Sequence, residues 1–105
     1  MTQLLAGKVA AITGGVSGIG RAIALEYIRQ GASVAVNHLG DQWSKDNFES
    51  MKKEAGEEAK LIDVAGDISK KETGVKLIEE TVKTWGKLDI FISNAGVCKF
   101  ADFLE

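Results

Sequence analysis

Four short apolar runs punctuate the chain, and between them apolar residues recur every three or four positions. The first run, Val9-Ala10-Ala11-Ile12, is unalternated, as a strand buried on both faces should be. It predicts a strand over residues 9–13. Ile19, Ala22, Ile23 and Tyr27 then share one face of a helix over residues 18–30, and Gly31 stands where a C′ glycine belongs. Ser33-Val34-Ala35-Val36-Asn37 follows as a second strand. Ser44 is placed to cap a second helix over residues 45–55, with Trp43 and Phe48 as a hydrophobic staple. Phe48, Met51 and Ala55 make its stripe and Gly56 ends it. The third strand covers residues 60–64 or 60–65. Ser69-Lys70-Lys71-Glu72 reads as a capping box for a third helix whose stripe is Val75, Ile78, Val82 and Trp85, closed by Gly86. Asp89-Ile90-Phe91-Ile92-Ser93 is the fourth strand.

Strands alternating with amphipathic helices imply right-handed crossovers and a parallel sheet covered on both faces. The pattern predicts an α/β, Rossmann-type doubly wound parallel sheet, N-terminal part only, with strand order 3-2-1-4. The chain has 105 residues and no proline. No linker or low-complexity tract divides it, so residues 1–105 are expected to form one domain, itself incomplete. Ligands of such sheets bind beyond the carboxyl ends of the strands. That directs attention to residues 13–20, 37–41 and the ends of strands three and four.

Charge and cysteine content narrow the partners. A net charge of -2 argues against nucleic acid or an anionic membrane surface. The single Cys98 excludes an intramolecular disulfide framework, fits a reducing compartment, and has no second metal ligand beside it. No run approaches the roughly 20 apolar residues of a membrane span, and residues 1–8 carry no secretory pattern. A cytoplasmic location is expected.

The stretch Thr13-Gly14-Gly15-Val16-Ser17-Gly18-Ile19-Gly20 joins the first strand to the first helix. A helix begins there with unpaired N–H groups and its positive dipole end, and glycines let a ligand approach the backbone. The natural occupant is the pyrophosphate of a dinucleotide; the alternative is a tight turn that holds nothing. Arg21-Ala22 follows Gly20, so the stretch is no phosphate loop of the Lys-Ser/Thr kind. At the end of strand three, Asp67 can accept from an adenine amine with Ile68 against the ring, or simply favour the start of the next helix. At the end of strand four, Ser93-Asn94-Ala95-Gly96 leaves room for a ribose and nicotinamide, with Asn94 tying strands together, or is a plain strand-ending turn.

Thr-Gly-x-x-x-Gly-x-Gly, Gly66-Asp67-Ile68 and Asn94-Ala95-Gly96, in this order over the whole chain, resemble the short-chain dehydrogenase/reductase family. The resemblance implies that Gly14, Gly18 and Gly20 form the cofactor turn, helped by Ser17 and Ile19. It implies that Asp67 and Ile68 hold the adenine and that Asn94, Ala95 and Gly96 line the nicotinamide-ribose side. Asn37-His38-Leu39-Gly40, Ser93-Asn94-Ala95-Gly96-Val97-Cys98 and Phe103-Leu104-Glu105 are similar to fungal sugar dehydrogenases, which implies an aldose of the L-rhamnose kind as substrate.

Cofactor choice turns on the end of strand two. An acidic residue there would select NAD by binding the ribose hydroxyls and repelling a 2′-phosphate. Asn37 and His38 stand there instead; Asn37 can donate to a phosphate, and His38 can when protonated. No arginine or lysine follows them. The expectation is NADP, with NAD tolerated.

The chain departs from the family in one respect. The family's serine, Tyr-x-x-x-Lys pair and helix asparagine fall beyond strand four, where the tyrosine would serve as acid and base. The only tyrosine here, Tyr27, lies in the first helix with Gly31 four positions on, and reads as a packing residue. His38, the only histidine, is expected on an exposed loop. No catalytic residue is therefore assigned within this chain, which alone is expected to be inactive, and no metal site is expected. Ending at strand four would also leave Ile90, Phe91 and Ile92 on an unprotected sheet edge, which favours a fragment of a longer dehydrogenase. The intact protein is expected to be a homo-oligomer acting on an alcohol, sugar or carbonyl substrate. The alternative is a truncated nucleotide-binding or interaction module without catalysis.

Overall fold

The chain builds its sheet from the inside outward. β1 (Val9–Ile12) is central and fully buried, and β2 (Ser33–His38) beside it is buried at all six positions. β3 (Leu61–Ala65) flanks β2 and β4 (Ile90–Ile92) flanks β1, giving the parallel order β3-β2-β1-β4. The computed structural model describes residues 3–94. The expected Rossmann-type topology is the observed one.

Alternate residues of each strand serve opposite layers. Ala10, Ile12, Val34 and Val36 pack with Ala24 of α1 (Gly18–Arg29) and with Phe48 and Met51 of α2 (Gln42–Ala55). Ala11, Ala35 and Val64 meet Leu77 of α3 (Lys71–Trp85) on the other face. Both faces are apolar because both are covered, which is why the strand runs do not alternate.

The helices depart from the expected stripes, each for a physical reason. In α1 the residues turned fully inward are Gly20 and Ala24, with Ile23, Tyr27 and Ile28 packed beside the core, whereas Ile19 is 72% exposed. In α3 they are Gly74, Leu77 and Thr81, while Val75 and Val82 are 45% and 41% exposed. Thr81 tolerates burial because its hydroxyl donates to the Leu77 carbonyl at 2.6 Å.

Caps differ too. Asp41, not Ser44, caps α2: its Oδ1 accepts the Ser44 N–H at 2.8 Å, and Ser44 is buried inside the first turn. Trp43 points out to solvent, so no staple forms with Phe48. The capping box at Ser69 is also absent, since the Ser69 N–H is taken by Asp67 Oδ1 at 2.9 Å and α3 starts after Lys70 without a side-chain cap. Gly56 and Gly86 do end their helices, both at positive φ. Among the described residues no helix is long and apolar enough to cross a membrane.

Candidate functional site

Among the described residues all three helices begin at the carboxyl edge of the sheet, and only α1 begins at a turn built of glycines. Gly14 has φ 60° and Gly18 φ 55°, a left-handed backbone that side chains disfavour. The glycines of this turn do different work. A β-carbon on Gly15 would lie 2.6 Å from Val36 Cγ1, and one on Gly20 would lie 2.3 Å from the Gly14 carbonyl oxygen and 2.6 Å from Asn94 Nδ2. Those two are glycine so that strand, turn and helix can touch. Among the described residues nothing lies within 4 Å of where a Gly18 β-carbon would stand; there it faces open space.

The start of α1 is also uncapped. Ser17 is the N-cap residue in extended conformation, yet its side chain makes no cap bond. The first-turn N–H groups therefore keep the positive end of the helix available to an anion. Ile19, exposed in that same turn, borders the opening.

Strand four closes the turn from one side. The Asn94 N–H donates to Thr13 Oγ1 at 2.9 Å, and Asn94 Nδ2 donates to the Gly14 carbonyl at 3.2 Å. Asn94 thus ties β4 to the glycine turn across 80 positions of sequence. Beside it, Ser93 Oγ is a buried hydroxyl oxygen without a hydrogen-bond partner among the described residues. Ala95, Gly96 and Cys98 lie outside the described residues.

Strand two closes it from the other side. The Gly15 N–H donates to the Asn37 carbonyl at 3.1 Å, joining the glycine turn to the end of β2. Here the side chains expected to meet a ribose face inward. Asn37 is 2% exposed, and its Nδ2 donates to the carbonyls of Val64 at 3.2 Å and Gly66 at 3.1 Å. His38 is 4% exposed rather than on an exposed loop. Its Nε2 meets Asp63 Oδ2 at 2.8 Å, its Nδ1 accepts the Gly40 N–H at 3.0 Å, and its ring lies 6.2 Å from that of Phe48. An acceptor role at Nδ1 places the ring hydrogen of a neutral imidazole on Nε2. Asp63 carries no motif; one carboxylate inside the run Leu61-Ile62-Asp63-Val64 is the only sign of it in the sequence.

The end of β3 supplies Asp67, whose Oδ1 holds the Ser69 N–H, and Ile68, half-buried next to it. Among the described residues no three His, Cys, Asp or Glu side chains are grouped to hold a metal ion. Tyr27 packs against the core, far in role from any proton transfer.

The residues fit a dinucleotide. An open Gly18, an uncapped helix start and an orphaned Ser93 hydroxyl lie along one edge of the sheet, bounded by Asn94 and the turn after β2. Gly14, Gly18 and the first-turn N–H groups would hold the pyrophosphate; Asp67 and Ile68 would adjoin the adenine.

Comparison with known proteins places the chain in a family. The chain is 50% identical to the L-rhamnose-1-dehydrogenase of Scheffersomyces stipitis, an alignment covering 100% of this chain and 41% of that protein. It is 36% identical to an L-rhamnose 1-dehydrogenase (NAD(P)(+)) of a Sphingomonas species, covering 98% of this chain and 40% of that one. A solved short-chain dehydrogenase/reductase from Serratia marcescens superposes with a TM-score of 0.79 at 30% identity, over 88% of this chain and 37% of the other. The chain thus spans about two fifths of the length of the curated relatives it matches. A family model described as short chain dehydrogenase matches residues 8–105, and the chain belongs to that family.

Proposed function

We propose that this chain is the cofactor-holding part of an NAD(P)-dependent oxidoreductase acting on a CH–OH group, with an aldose of the L-rhamnose kind as substrate. The observation that carries the reading is the glycine turn, where Gly18 opens onto space at an uncapped helix start while Gly15 and Gly20 are closed by packing. The names of the relatives support the sugar. They weigh against a binding module without catalysis.

The bound nicotinamide supplies a carbon that accepts or returns hydride. What this chain contributes is grip and orientation. The turn holds the pyrophosphate through backbone N–H groups, Asn94 fixes the turn against β4, and the turn after β2 meets the adenosine ribose. The proton-transferring residues lie outside this chain, since Tyr27 is occupied in packing and has Gly31 where the family has lysine. Both NAD and NADP are accepted. The donors of Asn37 and His38 that favoured NADP are engaged within the protein, and β2 itself ends in Asn37 and His38 rather than an acidic residue, with the nearby Asp63 bonded to His38 and Asp41 capping α2.

Titration of NAD+ and NADP+ into the 105-residue chain by calorimetry tests this, together with an assay for L-rhamnose oxidation. Binding of both without turnover is the expected result. Binding of neither would end the proposal, and turnover by this chain alone would refute the placement of the chemistry elsewhere.

A further inference from the structure

The turn after β2, residues 38–41, is held from beneath rather than by its own sequence. His38 lies under α2 with both ring nitrogens committed: Nε2–H to Asp63 of the neighbouring strand at 2.8 Å, and Nδ1 to the Gly40 N–H at 3.0 Å. Gly40 has φ 89°, and a β-carbon there would stand 3.1 Å from Ala65 Cβ, so the turn presses directly on β3. The Gly66 N–H donates to the His38 carbonyl at 2.8 Å, and Asp41 is committed to capping α2. The glycine turn is bonded to the residue just before this turn, through the Gly15 N–H and the Asn37 carbonyl.

We propose that Asp63 is a positioning residue for cofactor selection, acting through His38: the Asp63–His38–Gly40 chain pulls the Gly40 N–H inward and away from the 2′-substituent of the adenosine ribose. This rests on the dinucleotide reading above and deepens it. A 2′-phosphate is recognised by N–H donors and cations at the end of strand two. The described residues of this turn include no Lys or Arg, which leaves its backbone N–H groups as the donors that matter. One of them is withdrawn by the imidazole. A neutral imidazole bonded to a carboxylate is a better acceptor at its second nitrogen, because each bond in such a chain polarises the next. Asp63 therefore strengthens a bond two groups away. Its position suits that role, because it sits on an end strand with its side chain 40% exposed, so its carboxylate stays solvated while the ring it steers is buried.

The deciding variants are Asp63→Val, which suits an edge strand and offers no acceptor, and Asp63→Asn, whose side-chain oxygen can still take the Nε2–H. Dissociation constants for NAD+ and NADP+ are measured by calorimetry. In parallel, 15N-histidine NMR reads the ring tautomer, with the His38 signal assigned from its loss in His38→Gln. In the unaltered protein the ring carries its hydrogen on Nε2. Asp63→Val moves the ratio of the two constants about fivefold toward NADP+, the worth of one hydrogen bond released, and changes the Nδ1 signal. Asp63→Asn keeps both the tautomer and a ratio within about twofold of the unaltered protein. If Asp63→Val fails to fold, Asp63→Ala takes its place with the same expectation.

A ratio unchanged by Asp63→Val, or an equal weakening of both dinucleotides, overturns the proposal and leaves Asp63 a structural residue. A hydrogen found on Nδ1 in the unaltered protein overturns it as well. If the unaltered protein binds neither dinucleotide while the NMR shows the expected tautomer, it is the oxidoreductase reading that fails, and the selection role fails with it.

Discussion

Gly18 and Gly20 sit two positions apart in one turn and answer to different constraints. Alanine at position 20 would drive a β-carbon into the Gly14 carbonyl, backbone of the turn that must shift, and into the Asn94 amide, which would have to give up its bond to that carbonyl. Gly20→Ala is expected to lower stability by about 1–3 kcal/mol, measured by urea unfolding, with cofactor affinity falling as a consequence. Alanine at position 18 meets nothing, but must adopt φ 55°, at a cost of about 1–2 kcal/mol. There the larger effect is on binding, because the new methyl group stands where a phosphate would approach. An affinity loss of about tenfold or more for both dinucleotides is expected, equivalent to ~1.4 kcal/mol. If Gly18→Ala binds as well as the unaltered chain, the open space is not the phosphate site.

At the scale of elements, capping and ion pairing decide. Asp41→Ala removes the carboxylate that holds the Ser44 N–H and should cost about 1 kcal/mol of stability. Ser44 bonds to Asp41 through its hydroxyl as well as its N–H, and together they hold the Asp41 carboxyl below its ordinary range. Ser44→Ala keeps the N–H, so thermal melts should show the smaller loss for it. Asp89 pins the start of β4 to β1: its Oδ2 accepts the Val9 N–H at 2.9 Å, with Lys87 Nζ at 3.1 Å. The Val9 N–H first, and Lys87 next, hold its carboxyl below the ordinary value. A lowered folded value means stability present above the unfolded value near 4 and lost as pH falls through the folded one. Asp89→Asn should therefore be less stable at neutral pH, with the gap closing in acid-unfolding curves below about pH 4.

Every strand and helix of the described residues was legible in the sequence, and so was the strand order, because unbroken apolar runs and glycine stops survive any tertiary context. The helix faces were not. A hydrophobic stripe sees Val75 and Val82 but cannot see Gly74, whose value lies in lacking a side chain, or Thr81, whose hydroxyl is satisfied by its own helix. The same blindness hid the site's interior. Asn37 and His38 looked like donors at a strand end; their partners, the carbonyls of Val64 and Gly66 and the Asp63 carboxylate, come from a strand that no local pattern links to them.

At the scale of the molecule, the sheet is uneven. β1 and β2 are buried throughout, whereas all three residues of β4 are only half-buried. Amide exchange should accordingly be slower in β1 and β2 than in the outer strands β3 and β4; equal protection across all four would contradict this packing. Asn94 depends on the half-buried β4 to reach Thr13 and Gly14. This has a consequence for a chain leaving the ribosome. β1, β2 and β3 are consecutive and can pair as they emerge, Val9 with Ser33 and Val34 with Leu61. The glycine turn is already present in that nascent sheet, but its clamp is 80 residues downstream. Closing the longer loop costs only about 1 kcal/mol more than closing the β1–β2 loop, so the delay is one of synthesis rather than of thermodynamics. Stalled nascent chains should acquire dinucleotide affinity only once Asn94 has cleared the exit tunnel, making cofactor binding a late event in the life of a turn that is among the first parts of the protein to be made.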